Sequence, residues 1–98
     1  MPPAVRGSGT DTASGHGSFP PTKTSGCSSN VIINGKGAHR QGDSIISHGS
    51  PSPSPVHSRS AAGGSPNTLV NGKPLVRLGD PVSCGGSLVT GSRNVLCN

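Results

Sequence analysis

NGKPLVRLGD, residues 71–80, restates NGKGAHRQGD, residues 34–43. Setting Asn34 on Asn71 aligns Gly35 with Gly72, Lys36 with Lys73, Arg40 with Arg77, Gly42 with Gly79 and Asp43 with Asp80. The match extends upstream, where SNVIING (29–35) corresponds to PNTLVNG (66–72). RNVLCN (93–98) begins a third copy and stops where the next Asn-Gly would stand. PPAVRGSGTD (2–11) is a divergent PLVRLGD with two residues inserted before Asp11. A repeat of roughly 35 residues ordinarily indicates a solenoid. Three units whose ends match cyclically predict a closed pseudo-threefold body instead, one domain spanning residues 1–98.

Within each unit, short apolar runs such as VIIN and TLVN lead into Asn-Gly, and a second run follows it. Asn-Gly between such runs is the strongest short-range indication of a type I′ hairpin. Gly42-Asp43 and Gly79-Asp80 mark a further turn, after which the chain enters loops rich in Ser and Gly. No useful helical period occurs. The expected class is all-β, built from short hairpins.

Composition narrows the function. The 98 residues are 28% hydrophobic and include 16 Gly, 10 Pro and a single aromatic, Phe19. The core is therefore thin. The formal charge is +5, but the eight Lys and Arg are scattered and lack aromatic interleaving, which argues against a nucleic-acid partner. No apolar run approaches the roughly 18–20 residues of a membrane span. The first residues have no signal-peptide pattern, so a soluble protein made in the cytoplasm is expected. Three cysteines cannot form a complete disulfide framework, and so small a core calls for a metal, an oligomer or a partner.

The acids point to the metal. The chain has only three, Asp11, Asp43 and Asp80, one per unit in the same place. Five residues after the first two stand His16 and His48, and four after the third stands Cys84. A threefold arrangement brings these loops to one vertex. Histidine and cysteine are zinc ligands, and a structural zinc takes four in a closed tetrahedron. His57, in the SPSPSPVHSRS insertion of the middle unit, is the expected fourth ligand. His39 and water are the competitors, although the repeat aligns His39 with Val5 and Val76 on a strand. Cys97 aligns with Ile33 and Val70 and reads as a small buried hydrophobe, whereas Cys27 reads as a loop thiol. A thiol enzyme using Cys84 would need an acid to support its histidine, and the three Asp belong to turns. The expectation is no enzyme, with a free-standing zinc protein as the other alternative.

The phrases PAVR (3–6), GAHR (37–40) and PLVR (74–77) look like degenerate copies of the motif that names the PAAR-repeat (proline-alanine-alanine-arginine) proteins. NGKPLVRLGDPVSCGGSLVTGSRNV and GHGSFPPTKTSGCSSNVIING are similar to that family's phrasing, and the resemblance spans essentially the whole chain. It implies a small all-β cone with a zinc near its apex, held by three histidines and one cysteine matching His16, His48, His57 and Cys84. It also implies a structural role, capping the trimeric β-helix spike of a contractile injection machine. The spike would be the VgrG (valine-glycine repeat) protein of type VI secretion or the central spike of a phage baseplate. One copy per trimer, transient contact with the target membrane and an optional bound effector follow from that role. A fused toxin is not expected.

Overall fold

The computed structural model describes residues 2–15, 21–48, 57–83 and 85–97. Among them are eight short strands: β1 (Thr12–Ala13), β2 (Thr22–Lys23), β3 (Ile32–Ile33), β4 (Lys36–Gly37), β5 (Ser44–His48), β6 (His57–Ser60), β7 (Leu69–Val70) and β8 (Lys73–Pro74). They pair antiparallel as β1–β2, β3–β4, β5–β6 and β7–β8. No helix in this set is long and apolar enough to cross a membrane.

The two Asn-Gly hairpins form for the expected reason. Asn34 and Gly35 have φ of 53° and 81°, and Asn71 and Gly72 have 54° and 81°. A type I′ turn demands positive φ at both central residues, which Asn tolerates and Gly adopts freely. Ile32 then pairs with Gly37 and Leu69 with Pro74. The third hairpin is assembled from the two ends of the chain. Leu96 bridges Pro3, and the Ala4 amide donates to Val95 O at 2.9 Å. The amides of Ala38 and Leu75 make the same bond to Val31 O and Thr68 O at 2.9 and 3.0 Å. The cyclic reading of the repeat holds at the level of individual hydrogen bonds.

At the centre, the pseudo-threefold closes in three bonds. The Val5 amide donates to Val76 O (2.9 Å), the Val76 amide to His39 O (3.0 Å) and the His39 amide to Val5 O (3.0 Å). All three residues are fully buried. Because strand side chains alternate in direction, neighbouring residues serve two different cores. On one side Ala4, Ala38 and Leu75 pack with Ile33, Val70 and Cys97. On the other, Val5 and Val76 pack with Ala13, Ile45, Val82, Ala61 and Leu88. Cys97 is thus the buried hydrophobe the repeat predicts. The body measures 39 × 23 × 22 Å, with two nearly equal minor axes, as stacked threefold layers produce.

Each unit is braced by its arginine and aspartate. Arg6 donates to both carboxylate oxygens of Asp11, from Nε to Oδ2 at 2.9 Å and from Nη2 to Oδ1 at 2.9 Å. Arg40 does the same to Asp43 at 2.8 and 2.9 Å, and Arg77 to Asp80 at 3.1 and 2.9 Å. Each carboxylate also accepts its arginine's own backbone amide, at 2.7, 2.8 and 2.7 Å. These forked pairs straddle the turns, and the two-residue insertion of the first unit is absorbed between Arg6 and Asp11. Neighbouring units are laced together by asparagine. Asn34 accepts from Ser92 and donates to Asn94, while Asn71 accepts from Ser28 and donates to Asn30.

One unit departs from the pattern through a compensated exchange. A Cβ on Gly64 would lie 2.8 Å from Pro74 Cβ, and one on Gly91 would lie 2.9 Å from Pro3 Cβ. In the remaining unit the proline is replaced by Gly37 and the glycine by Cys27, and a Cβ on Gly37 would lie 2.6 Å from Cys27 Sγ. The thiol fills the space that a proline ring fills in the other two units.

Candidate metal centre

Of the four expected ligands, His48 and His57 are paired by the backbone, as cross-strand partners at the end of β5 and the start of β6. The pairing comes after an irregularity in register between Ile45 and His48. His16 and Cys84 lie outside the described residues, as do the side chains of His48 and His57. Among the described residues no three His, Cys, Asp or Glu side chains come together.

The flanking residues show where the four segments run. Ser14, two before His16, is bonded twice to the segment following Cys84: its amide donates to Ser87 O at 2.7 Å, and its Oγ accepts the Ser87 amide at 2.9 Å. Ser83, just before Cys84, meets the His57 strand, its amide donating to Ser60 O (2.9 Å) and its Oγ accepting the Ser60 amide (3.1 Å). Val82 and Gly86 close a tight turn, with Val82 N to Gly86 O at 2.8 Å and Gly85 N to Val82 O at 3.0 Å. Gly85 carries the φ of 112° that this turn requires. The stems of the His16, His57 and Cys84 segments are therefore hydrogen-bonded neighbours, and the His48 backbone lies beside that of His57.

The competing histidine has a different place. His39 is fully buried in the central ring, its Nδ1 2.7 Å from Gly26 O. A carbonyl only accepts, so Nδ1 carries the proton, and Nε2 is left as a buried acceptor with no partner among the described residues. Burial depresses the His39 pKa more strongly than the Gly26 bond raises it, which keeps the ring neutral. The three aspartates are equally committed to their arginines. Burial of Asp11 and Asp43 favours their neutral forms, but hydrogen bonds from Arg6 and Arg40 overcome this and hold both carboxyls below the usual range. Each acid sits inside an arginine fork, Asp80 with Arg77 as the other two with theirs.

The sequence matches the family described as the PAAR motif over residues 14–90. The chain belongs to the PAAR-motif family. This is a family of structural spike-tip proteins of contractile injection machines, not of enzymes. The match covers β2 to β8, together with the His16, His48, His57 and Cys84 positions. No curated protein matches the chain.

Three features escape a reading for ligand types. The Ser-x-Asn phrases at Ser28, Ser65 and Ser92 recur in the sequence, and each buried hydroxyl accepts amides two and three residues ahead. The Arg-x-x-Asp spacing of two units was visible but silent about pairing. Arg59, buried at the stem of the His57 segment, has no counterpart in the repeat: its aligned positions are Thr22 and Gly86.

Proposed function

We propose that this chain is the tip of a contractile injection machine, capping a trimeric β-helix spike of VgrG or phage central-spike type, one copy per trimer. The observation that carries the reading is the threefold set of exposed apolar residues on the three hairpins. Ile32, Leu69 and Leu96 are 56, 62 and 49% exposed, while the residue following each, Ile33, Val70 and Cys97, is buried in the same cluster. Three equivalent apolar contacts beside three strand pairs suit a partner made of three identical chains. Main-chain pairing supplies affinity there and leaves no open edge to aggregate.

The opposite side of the central ring, toward which the stems of the ligand segments run, is the point of a tapering cone. A zinc held there by His16, His48, His57 and Cys84 would tie the loops together. The donor set, three imidazoles and one thiolate, suits tetrahedral zinc, and the cross-strand pairing of His48 with His57 supports it. Zinc in small domains supplies apparent binding free energies of roughly 10–16 kcal/mol, enough to keep a thin core from opening under force. Gly, Ser and Pro in the connecting loops keep the point narrow. The assembled tip would be carried outward by the machine, touch the target envelope transiently, and leave room for a separately bound effector.

Native mass spectrometry of the protein mixed with its spike tests the cap. One copy per trimer is expected, with binding that persists at about 0.5 M salt because apolar contacts are not screened. Three copies per trimer would rule it out. Elemental analysis tests the metal, with about one zinc per chain expected after purification without chelators. Cys84→Ser and His48→Ala should each lower zinc retention, and Cys27→Ser should leave it unchanged.

A further inference from the structure

One buried cation crosses the stems of the ligand segments. Arg59 on β6 is only 3% exposed and stands two residues after His57. Its Nη2 donates to Ala13 O at 2.9 Å and to Thr22 Oγ1 at 2.8 Å, its Nη1 to Ser14 O at 2.5 Å, and its Nε to Thr22 Oγ1 at 3.2 Å. The Thr22 hydroxyl passes the chain of bonds on, donating to Ile46 O at 2.6 Å. Ser14 O also lies against Gly86, where an added Cβ would collide with it.

These contacts share one arithmetic. Ser14 is two residues before His16, Ile46 two before His48, Arg59 two after His57 and Gly86 two after Cys84. Arg59 and Thr22 thus form a collar that bonds the His57 strand directly to the His16 and His48 segments and reaches the Cys84 segment through Ser14, whose carbonyl Arg59 holds against Gly86. The fold does not demand it, because the aligned positions of Arg59 are Thr22 and Gly86. Nor is a guanidinium the cheapest filler: an apolar side chain of similar volume at a buried charged site is often neutral or stabilising. What the guanidinium offers is a rigid fork of donors that fixes several carbonyls at once.

We propose that Arg59 is a positioning residue for the metal centre, presetting the four segments so that zinc enters a formed site rather than organising one. The proposal rests on the zinc reading above. Groups that orient metal ligands from outside typically contribute 10–100-fold to metal affinity, because the ordering is done before the metal binds.

The test is zinc affinity of the full chain by chelator competition, together with the visible spectrum of the cobalt-substituted protein. Arg59→Met should weaken zinc about 10–100-fold and degrade the tetrahedral cobalt bands. Arg59→Lys, which keeps charge but loses the fork, should lie in between. Ile33→Ala, a cavity in the hairpin cluster, should lower the melting temperature and leave zinc affinity unchanged. If Arg59→Met fails to fold, Thr22→Val reads the same collar from its hydroxyl end, and weaker zinc binding is expected there too. Parent-like affinity and an unchanged cobalt spectrum in the folded Arg59 variants would overturn the proposal while leaving the zinc site standing. A parent protein that binds no zinc would overturn both.

Discussion

The two sides of the central ring follow different rules. On the hairpin side the three units are close copies: two Asn-Gly turns with matching φ, a third strand pair supplied by the chain ends, and Ser-x-Asn laces between neighbours. On the other side the units diverge. The first contributes the two-residue strands β1 and β2, the second the longer β5 and β6, and the third a single bridge between Pro81 and Ser87. Arg59 occurs in only one of them. Symmetry is kept where a threefold partner is proposed and lost where a single ion would sit. A trimer presents three equal contacts, whereas a tetrahedral centre needs four ligands, which three equal units cannot supply.

The symmetric half can be broken most severely at its braces. Asp11→Ala removes the partner of a largely buried guanidinium and the acceptor of the Thr90 hydroxyl. It should cost about 3 kcal/mol in urea unfolding, and Asp43→Ala and Asp80→Ala should fall within about 1 kcal/mol of it. A large spread among the three would mean that the braces are not equivalent. The next effect concerns the exchange of Cys27 and Gly37. Gly37→Pro should destabilise by about 2 kcal/mol through overpacking against the thiol, and Cys27→Gly in the same chain should restore most of the loss. Additive losses would show that the two positions are not coupled.

A smaller effect separates the ring from the braces by pH. The depressed His39 pKa means that the unfolded chain takes up a proton near pH 6.5 while the folded ring still resists it. Stability tied to His39 is therefore complete above that value and declines as pH falls below it. Asp11 and Asp43, also depressed, contribute stability that is complete above about pH 4 and is lost as pH falls through their lower folded values. Unfolding curves of the parent and of His39→Val, which matches Val5 and Val76, should diverge between pH 7 and 5 in the slope of stability with pH. Parallel slopes would remove His39 from the account. The smallest change belongs to the exposed apolar set, where Leu69→Ser should shift stability by no more than about 0.5 kcal/mol yet weaken capture of a spike trimer.

The repeat was legible because local chemistry enforced it. Asn-Gly takes the two positive φ values of its turn at little cost, and alternating apolar residues must face a core, so NGKPLVRLGD and NGKGAHRQGD determined two hairpins, the closure by residues 2–4 and 95–97, and the burial of Cys97. The shared offsets of His16, His48 and Cys84 from their aspartates likewise marked three loops as equivalents. Tertiary structure alone decided what lies between units. That Asn71 belongs to Ser28 and Asn30 of the neighbouring unit, and that Cys27 stands in for a proline ring, are facts about side chains that only folding brings together. Arg59 is the clearest case: nothing in HSRS distinguishes an exposed arginine from a buried one, and only folding brings to it the Ala13 and Ser14 carbonyls and the Thr22 hydroxyl that make its burial tolerable. A turn is encoded by neighbours along the chain, but a buried charge is defined by the acceptors that folding brings to it.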